Sequence, residues 1–245
     1  MAPPRQEVIA ELEGFSTGYS ERLDTSANDM ASGIAAVAVY LEGGGRKNIA
    51  EAYRIGSLIG LNTRIVDDIL DGEEVDAVTD KQAFLNNYID SIHGKDVSPE
   101  ENESENIAYE AGRLLGRELD TEIVSGYMQD FVDIAVEEDK SSKEGYKSYS
   151  RGISASIGEL VGMALTDLDD FEADADILNF AYDFAYLGQV ADDKLDADTG
   201  LGDDIDEFYR EAQERISRHG ATGKFMEKAS KVYPQLYRGM KALRK

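Results

Sequence analysis

Two runs with the spacing Asp-Asp-x-x-Asp, Asp67-Asp68-Ile69-Leu70-Asp71 and Asp192-Asp193-Lys194-Leu195-Asp196, carry the side chains best suited to chemistry. Each run closes a long apolar pattern of helical period. Residues three and four apart share a helical face, so Asp67 and Asp71 project together with Asp68 beside them. A single cluster of this kind means little in an acid-rich chain. Two matching clusters point to one cavity lined by carboxylates from opposite walls, a site for several divalent cations and a polyanionic ligand.

The faces on which these residues fall strengthen that expectation. An exposed acid on an amphipathic helix lies opposite the apolar stripe. Steps of four back from Asp67 instead give Thr63, Ile59 and Ile55, and from Asp68 they give Arg64, Gly60 and Gly56. The same steps from Asp192 give Gly188, Phe184 and Phe180. Both clusters therefore continue stripes that face a core, and the glycines leave space beside them. Carboxylates in such a place need cations nearby. Arg64 and Lys194 are the local protein cations, and Mg²⁺ suits the remaining charge because it takes carboxylate oxygens, keeps waters and bridges to phosphates. His93 and His219 have no ligand partner at helical spacing, and Asp198, Asp203, Asp204 and Asp206 read as loop surface. Tyr146, Tyr149, Tyr182 and Tyr186 read first as core, with aromatic faces that would also stabilise a cation.

The elements that must position these groups are helices throughout. Ala31 to Leu41 is small and apolar and is broken by Glu42-Gly43-Gly44-Gly45; a second pattern runs from Arg46 to Asp71. Thr79-Asp80-Lys81-Gln82 reads as a capping box with Thr79 as cap, opening a helix that ends near Gly94. Ser98-Pro99-Glu100-Glu101 reads as a further start, with helix to about Val136 and a break near Asp120. Segments from Glu144 to Leu165 and from Asp174 to Asp196 follow, then two basic-leaning helices. No sustained period-2 alternation occurs, and Gly43-Gly44-Gly45 lacks the preceding strand and following Gly-Lys of a phosphate loop. The expectation is a single all-α domain over residues 1–245, a bundle of eight to ten helices, with residues 1–20 mobile and 218–245 forming a basic C-terminal helix.

Composition bounds the function classes. The 245 residues, 42% of them hydrophobic, suffice for one sizeable core. No Cys is present, which removes disulfides, thiolate metal sites and thiol nucleophiles. No apolar stretch reaches membrane-spanning length and the first residues lack the apolar core of a signal peptide, so a soluble cytoplasmic protein with no integral membrane segment is expected. Fifty acidic residues against 25 basic give a net charge of -25, which disfavours nucleic acid as a partner and resembles the solvated surface of a halophile's protein. The sign reverses from Arg218 to Lys245, where eight Lys and Arg meet one Glu.

The segments Arg64-Ile65-Val66-Asp67-Asp68-Ile69-Leu70-Asp71 and Gly188-Gln189-Val190-Ala191-Asp192-Asp193-Lys194-Leu195-Asp196 resemble the two aspartate-rich motifs of the class I isoprenoid diphosphate synthase superfamily. The resemblance covers roughly Arg46 to Gly200. It implies motifs on facing helices of an all-α fold around a central cavity, a homodimer, and two or three Mg²⁺ ions bound with a prenyl diphosphate substrate. Carried onto this chain, Asp67, Asp71 and Asp192 would be catalytic, and Asp67, Asp68, Asp71, Asp192, Asp193 and Asp196 would be metal ligands. Arg64, Arg46, Lys47, Arg151, Gln189, Lys194 and Tyr149 would bind substrate, while Asn62, Thr63, Ile59, Gly60 and Phe184 would line a tunnel for the prenyl chain. Gln189, three residues before the second motif, is similar to trans-polyprenyl diphosphate synthases, which condense an allylic diphosphate with isopentenyl diphosphate. Arg64, three residues before Asp67, and the segment Tyr149-Ser150-Arg151-Gly152 to Gly158 resemble the head-to-head squalene and phytoene synthases instead. Where chain-elongating members place an Arg pair after the first motif, this chain has Gly72-Glu73-Glu74-Val75-Asp76. Three readings follow: a chain-elongating prenyltransferase, a head-to-head synthase or terpene cyclase, and a non-catalytic or regulatory relative that binds prenyl diphosphate.

Overall fold

The structure, a computed structural model, describes residues 26–71, 78, 80–97, 103–136, 142–168, 170–196, 201–202 and 204–243. Among them are nine α-helices and no strand: α1 (Ser26–Glu42), α2 (Ile49–Asp71), α3 (Lys81–Ile92), α4 (Glu103–Glu118), α5 (Thr121–Val136), α6 (Lys143–Ala164), α7 (Ala175–Asp196), α8 (Asp204–Ser217) and α9 (Gly220–Leu243). The all-α bundle expected from the periodicity is therefore present. No helix among the described residues is long and apolar enough to cross a membrane. Residues 1–20 and the start signal at Ser98 to Glu101 lie outside the described residues.

Short polar side chains set the helix starts, each satisfying amide donors that a first turn leaves without partners. Asp80, rather than Thr79, caps α3: its carboxylate accepts from the Ala83 amide at 3.0 Å. The break expected near Asp120 is the junction of α4 and α5, where Asp120 accepts from the amides of Glu122 and Ile123, both at 3.1 Å. Ser142 caps α6 and Asp174 caps α7 in the same way. The first of the last two helices is acidic and not basic, with Asp204, Asp206, Glu207, Glu211 and Glu214 against Arg210 and Arg215. The basic character is confined to the chain after it.

Antiparallel neighbours build the part of the bundle that matters for function. Gly56 of α2 packs on Ser32 and Ala36 of α1 so closely that a Cβ there would collide with both. Tyr146 meets Asp193 at one end of the α6–α7 pair and Gly162 meets Leu178 at the other. Arg215 reaches Asp183, and Lys194 reaches Asp206, along the α7–α8 pair. One core runs through these helices, with Tyr40, Ile59, Ile65, Tyr146, Phe180 and Tyr186 buried in it.

The α1–α2 connection shows why the helical pattern beginning at Arg46 does not fold as helix there. Asp170, in the α6–α7 connection, accepts from the Tyr40 hydroxyl at 2.5 Å, from the amides of Arg46 and Lys47, both at 2.9 Å, and from the Asn48 side chain at 3.2 Å. Those amides donate to one carboxylate instead of to a preceding helical turn, so α2 begins only at Ile49. The four donors, with the Tyr40 hydroxyl foremost, hold the Asp170 carboxyl far below the usual carboxylate range.

Candidate functional site

A cavity of about 470 Å³ lies between α2, α6 and α7, with α1 and α9 adding to its lining. Helix α2 lines it from Gly56 through Ile59, Gly60, Thr63 and Arg64 to Asp67. At 1.5 Å per residue that wall is about 17 Å long. Helix α6 contributes Tyr149, Ile153, Ile157 and Val161, and α7 contributes Ala181, Phe184, Ala185, Gly188, Gln189 and Asp192. The steps of three and four are those of a helical face, so each wall is one stripe of its helix. Aliphatic and aromatic groups make up most of the lining. The charged groups gather at one end, where the last turns of α2 and α7 meet.

At that end the two acidic runs come together. The Arg64 guanidinium stands between them, with Nη1 3.8 Å from Asp67 Oδ2 and 4.0 Å from Asp192 Oδ2. Carboxylates from opposite walls thus come within salt-bridge reach of one cationic group. The backbone of Asp68, Asp71 and Asp196 continues the same final turns, while their side chains lie outside the described set. Among the described residues no three carboxylate or imidazole groups converge on a metal-sized point. The described part of the arrangement is a pair of acids at one end of an apolar cavity, oxygen donors of the type that hard divalent ions take.

Asp193 has a different place from the one the motif implies. It is buried, and its Oδ2 accepts from the Tyr146 hydroxyl at 2.8 Å and from Gln189 Nε2 at 3.1 Å. Burial, together with the neighbouring Asp193 charge, pushes the Tyr146 phenol far above the usual tyrosine range, so it stays a donor. Asp193 therefore anchors Gln189, which lines the cavity, and joins α7 to α6.

The other expected substrate contacts divide. Arg64, Gln189 and Tyr149 line the cavity, as do Thr63, Ile59, Gly60 and Phe184. Asn62 does not: it is buried on the α3 side, donating to the Leu58 carbonyl and accepting from the Tyr88 hydroxyl, both at 2.9 Å. Arg46 and Lys47 precede α2, at its opposite end from Asp67, and the rise along the helix from Ile49 to Asp67 is about 27 Å. There the Arg46 guanidinium binds the carbonyls of Leu41 and Gly45 at 2.8 and 2.6 Å. Arg151 turns to α8, with Nη2 2.7 Å from Glu211. Lys194 does likewise, 2.5 Å from Asp206 and 4.6 Å above the Tyr209 ring. Arg64 is thus the single basic side chain lining the cavity among the described residues.

Two walls lie outside the expected lining residues. Helix α1 contributes Ser32, Ile34, Ala35 and Val39, and α9 contributes Met226, Ala229 and Ser230. Neither carries an acidic motif. The available signal was the smallness of residues in α1, which also suits ordinary tight packing. No family model matches the chain, and no curated protein or solved structure matches it either.

Proposed function

We propose that this protein binds an allylic prenyl diphosphate, with its chain in the cavity and its diphosphate at the acidic end, and acts as a Mg²⁺-dependent prenyltransferase that condenses it with isopentenyl diphosphate. The observation that carries this reading is the convergence of Asp67 and Asp192, from two different helices, on Arg64 at one end of an apolar cavity whose α2 wall is about 17 Å long. Its volume of about 470 Å³ falls within the range of small-ligand sites. An apolar chain with a polyanionic head is the ligand whose two ends match the two ends of this site.

Asp67 and Asp192 would hold Mg²⁺, with Asp68, Asp71 and Asp196 as further candidates from the sequence. The bound ions would offset negative charge growing on the departing diphosphate. Arg64 would meet the same diphosphate from the cavity side. Asp193, occupied by Tyr146 and Gln189, fixes the Gln189 amide at the mouth and is a positioning residue. Below, Ile59, Ile153, Ile157 and Val161 exclude water from a reacting carbon centre, and the rings of Phe184 and Tyr149 offer faces that stabilise positive charge.

A second reading has an observation of its own. A chain-elongating enzyme holds two diphosphates, yet Arg46, Lys47, Arg151 and Lys194 do not line the cavity, and Arg64 is the basic side chain there among the described residues. That favours a one-diphosphate ligand, handled by a terpene cyclase or a non-catalytic binding protein. Incubation with Mg²⁺, labelled isopentenyl diphosphate and allylic primers of several lengths separates the readings. Elongated diphosphates support the first. Hydrocarbon with released diphosphate, or binding without turnover, supports the second. Asp67→Ala abolishes turnover on either enzymatic reading, and full retention would remove the site.

A further inference from the structure

We infer that Arg64 serves as an internal counter-ion that holds Asp67 and Asp192 together and keeps metal ions out until a diphosphate arrives, so that metal and diphosphate bind as one event. The inference rests on the diphosphate reading above and concerns the order in which that site fills.

Arg64 is placed by sequence to do this. It lies three residues before Asp67 on α2, which brings its stem onto the same helical face one turn earlier. Its guanidinium crosses to the other wall, with one nitrogen 3.8 Å from Asp67 and 4.0 Å from Asp192. Both carboxylates are partly exposed, at 33% and 44%, so the pairing is reachable by solvent and by ions. The guanidinium thus neutralises part of the charge of both walls at once. Metal and guanidinium compete for one pair of carboxylates, and two like charges cannot share so small a volume cheaply.

A diphosphate changes this balance. It gives the guanidinium a stronger, bidentate partner on the cavity side, and Arg64 already lines the cavity. The arginine then moves from the carboxylates to the ligand and vacates the space between Asp67 and Asp192. Metal affinity and diphosphate affinity are coupled through this one side chain, and the coupling is reciprocal. Lysine at this position would keep the charge and therefore most of the exclusion.

Titration of the full chain with Mn²⁺, followed by the electron paramagnetic resonance of the free ion, with and without inorganic pyrophosphate and with the signal lost to the same pyrophosphate in protein-free buffer subtracted, tests this. Wild type takes up Mn²⁺ weakly alone and much more tightly with pyrophosphate. Arg64→Gln, with helix content checked by circular dichroism, binds Mn²⁺ alone about tenfold more tightly than wild type and gains less from pyrophosphate. Arg64→Lys stays close to wild type. Unchanged or weaker Mn²⁺ binding in Arg64→Gln overturns the counter-ion role, as does equal tightening in Arg64→Lys. The site reading fails separately: it falls if wild type shows no pyrophosphate-dependent uptake, or if Asp192→Asn leaves that uptake intact.

Discussion

Adjacent aspartates with one formal charge each have opposite duties here. Asp192 faces the cavity mouth and Arg64, while Asp193 points into the bundle and accepts two hydrogen bonds. Consecutive residues on a helix are turned by about 100°, so a motif written as a run of acids must split between faces. Asp193→Ala leaves the Tyr146 hydroxyl and the Gln189 amide without their shared acceptor and is expected to lower stability by about 2 kcal/mol in urea melts. Pyrophosphate-dependent Mn²⁺ uptake should then fall less than fivefold. A loss as complete as in Asp192→Asn would return Asp193 to the ligand set. The spacing in the sequence made the acids conspicuous but treated them alike. What separates them is Tyr146, on another helix and far away in the chain, and no local pattern reports that pairing.

Helices and their connections explain both what the periodicity revealed and what it hid. Stripes of apolar residues ending in acid were legible because a buried face repeats every three to four residues, and α2, α6 and α7 present those stripes to one cavity. The basic candidates Arg46 and Lys47 came from the resemblance, and the length of α2 itself keeps them from Asp67, because they precede the helix that Asp67 helps to close. Their backbone belongs to a latch: Asp170 draws Tyr40, Arg46, Lys47 and Asn48 together and ties the α1–α2 connection to the α6–α7 connection. Because its folded carboxyl titrates below the unfolded one, Asp170 contributes stability that is present above about pH 4 and is lost as pH falls further. Asp170→Asn should therefore melt lower than wild type at pH 7 and show a flatter acid limb below pH 4. An identical pH profile for the two proteins would dismiss the latch. The α6–α7 crossing is tested differently. A Cβ on Gly158 would stand 2.8 Å from both the Cα and the amide nitrogen of Tyr182, so Gly158→Ala forces backbone apart and should cost about 1–3 kcal/mol. Gly188 has open space around its Cα, and Gly188→Ala serves as the control that should melt near wild type.

For the whole molecule the governing quantity is a net charge of -25 on 245 residues. Ion pairs such as Lys143 with Glu207, Arg54 with Glu118 and Lys95 with Asp90 use part of the basic complement, yet acids outnumber bases two to one. This excess was fully legible from composition, since charge repulsion depends on totals more than on placement. Its distribution was less so: the basic residues from Arg218 on suggested two basic-leaning helices, whereas α8 is acidic and docks Arg215 on Asp183 of α7. Self-repulsion of this size weakens the compact state most when screening is weak. The screening length shortens from about 10 Å at 0.1 M salt to about 3 Å at 1 M, so the melting temperature should rise steeply with KCl over that range. Salting-out of apolar surface would also raise it, and the two causes separate by anion. Screening depends on ionic strength, so KCl and potassium sulfate at equal ionic strength should shift the melting temperature almost equally; burial driven by excluded ions would favour sulfate strongly. A rise seen only in sulfate would mean that the acidic surface is already tolerated at low salt and that the core, not the charge, limits stability.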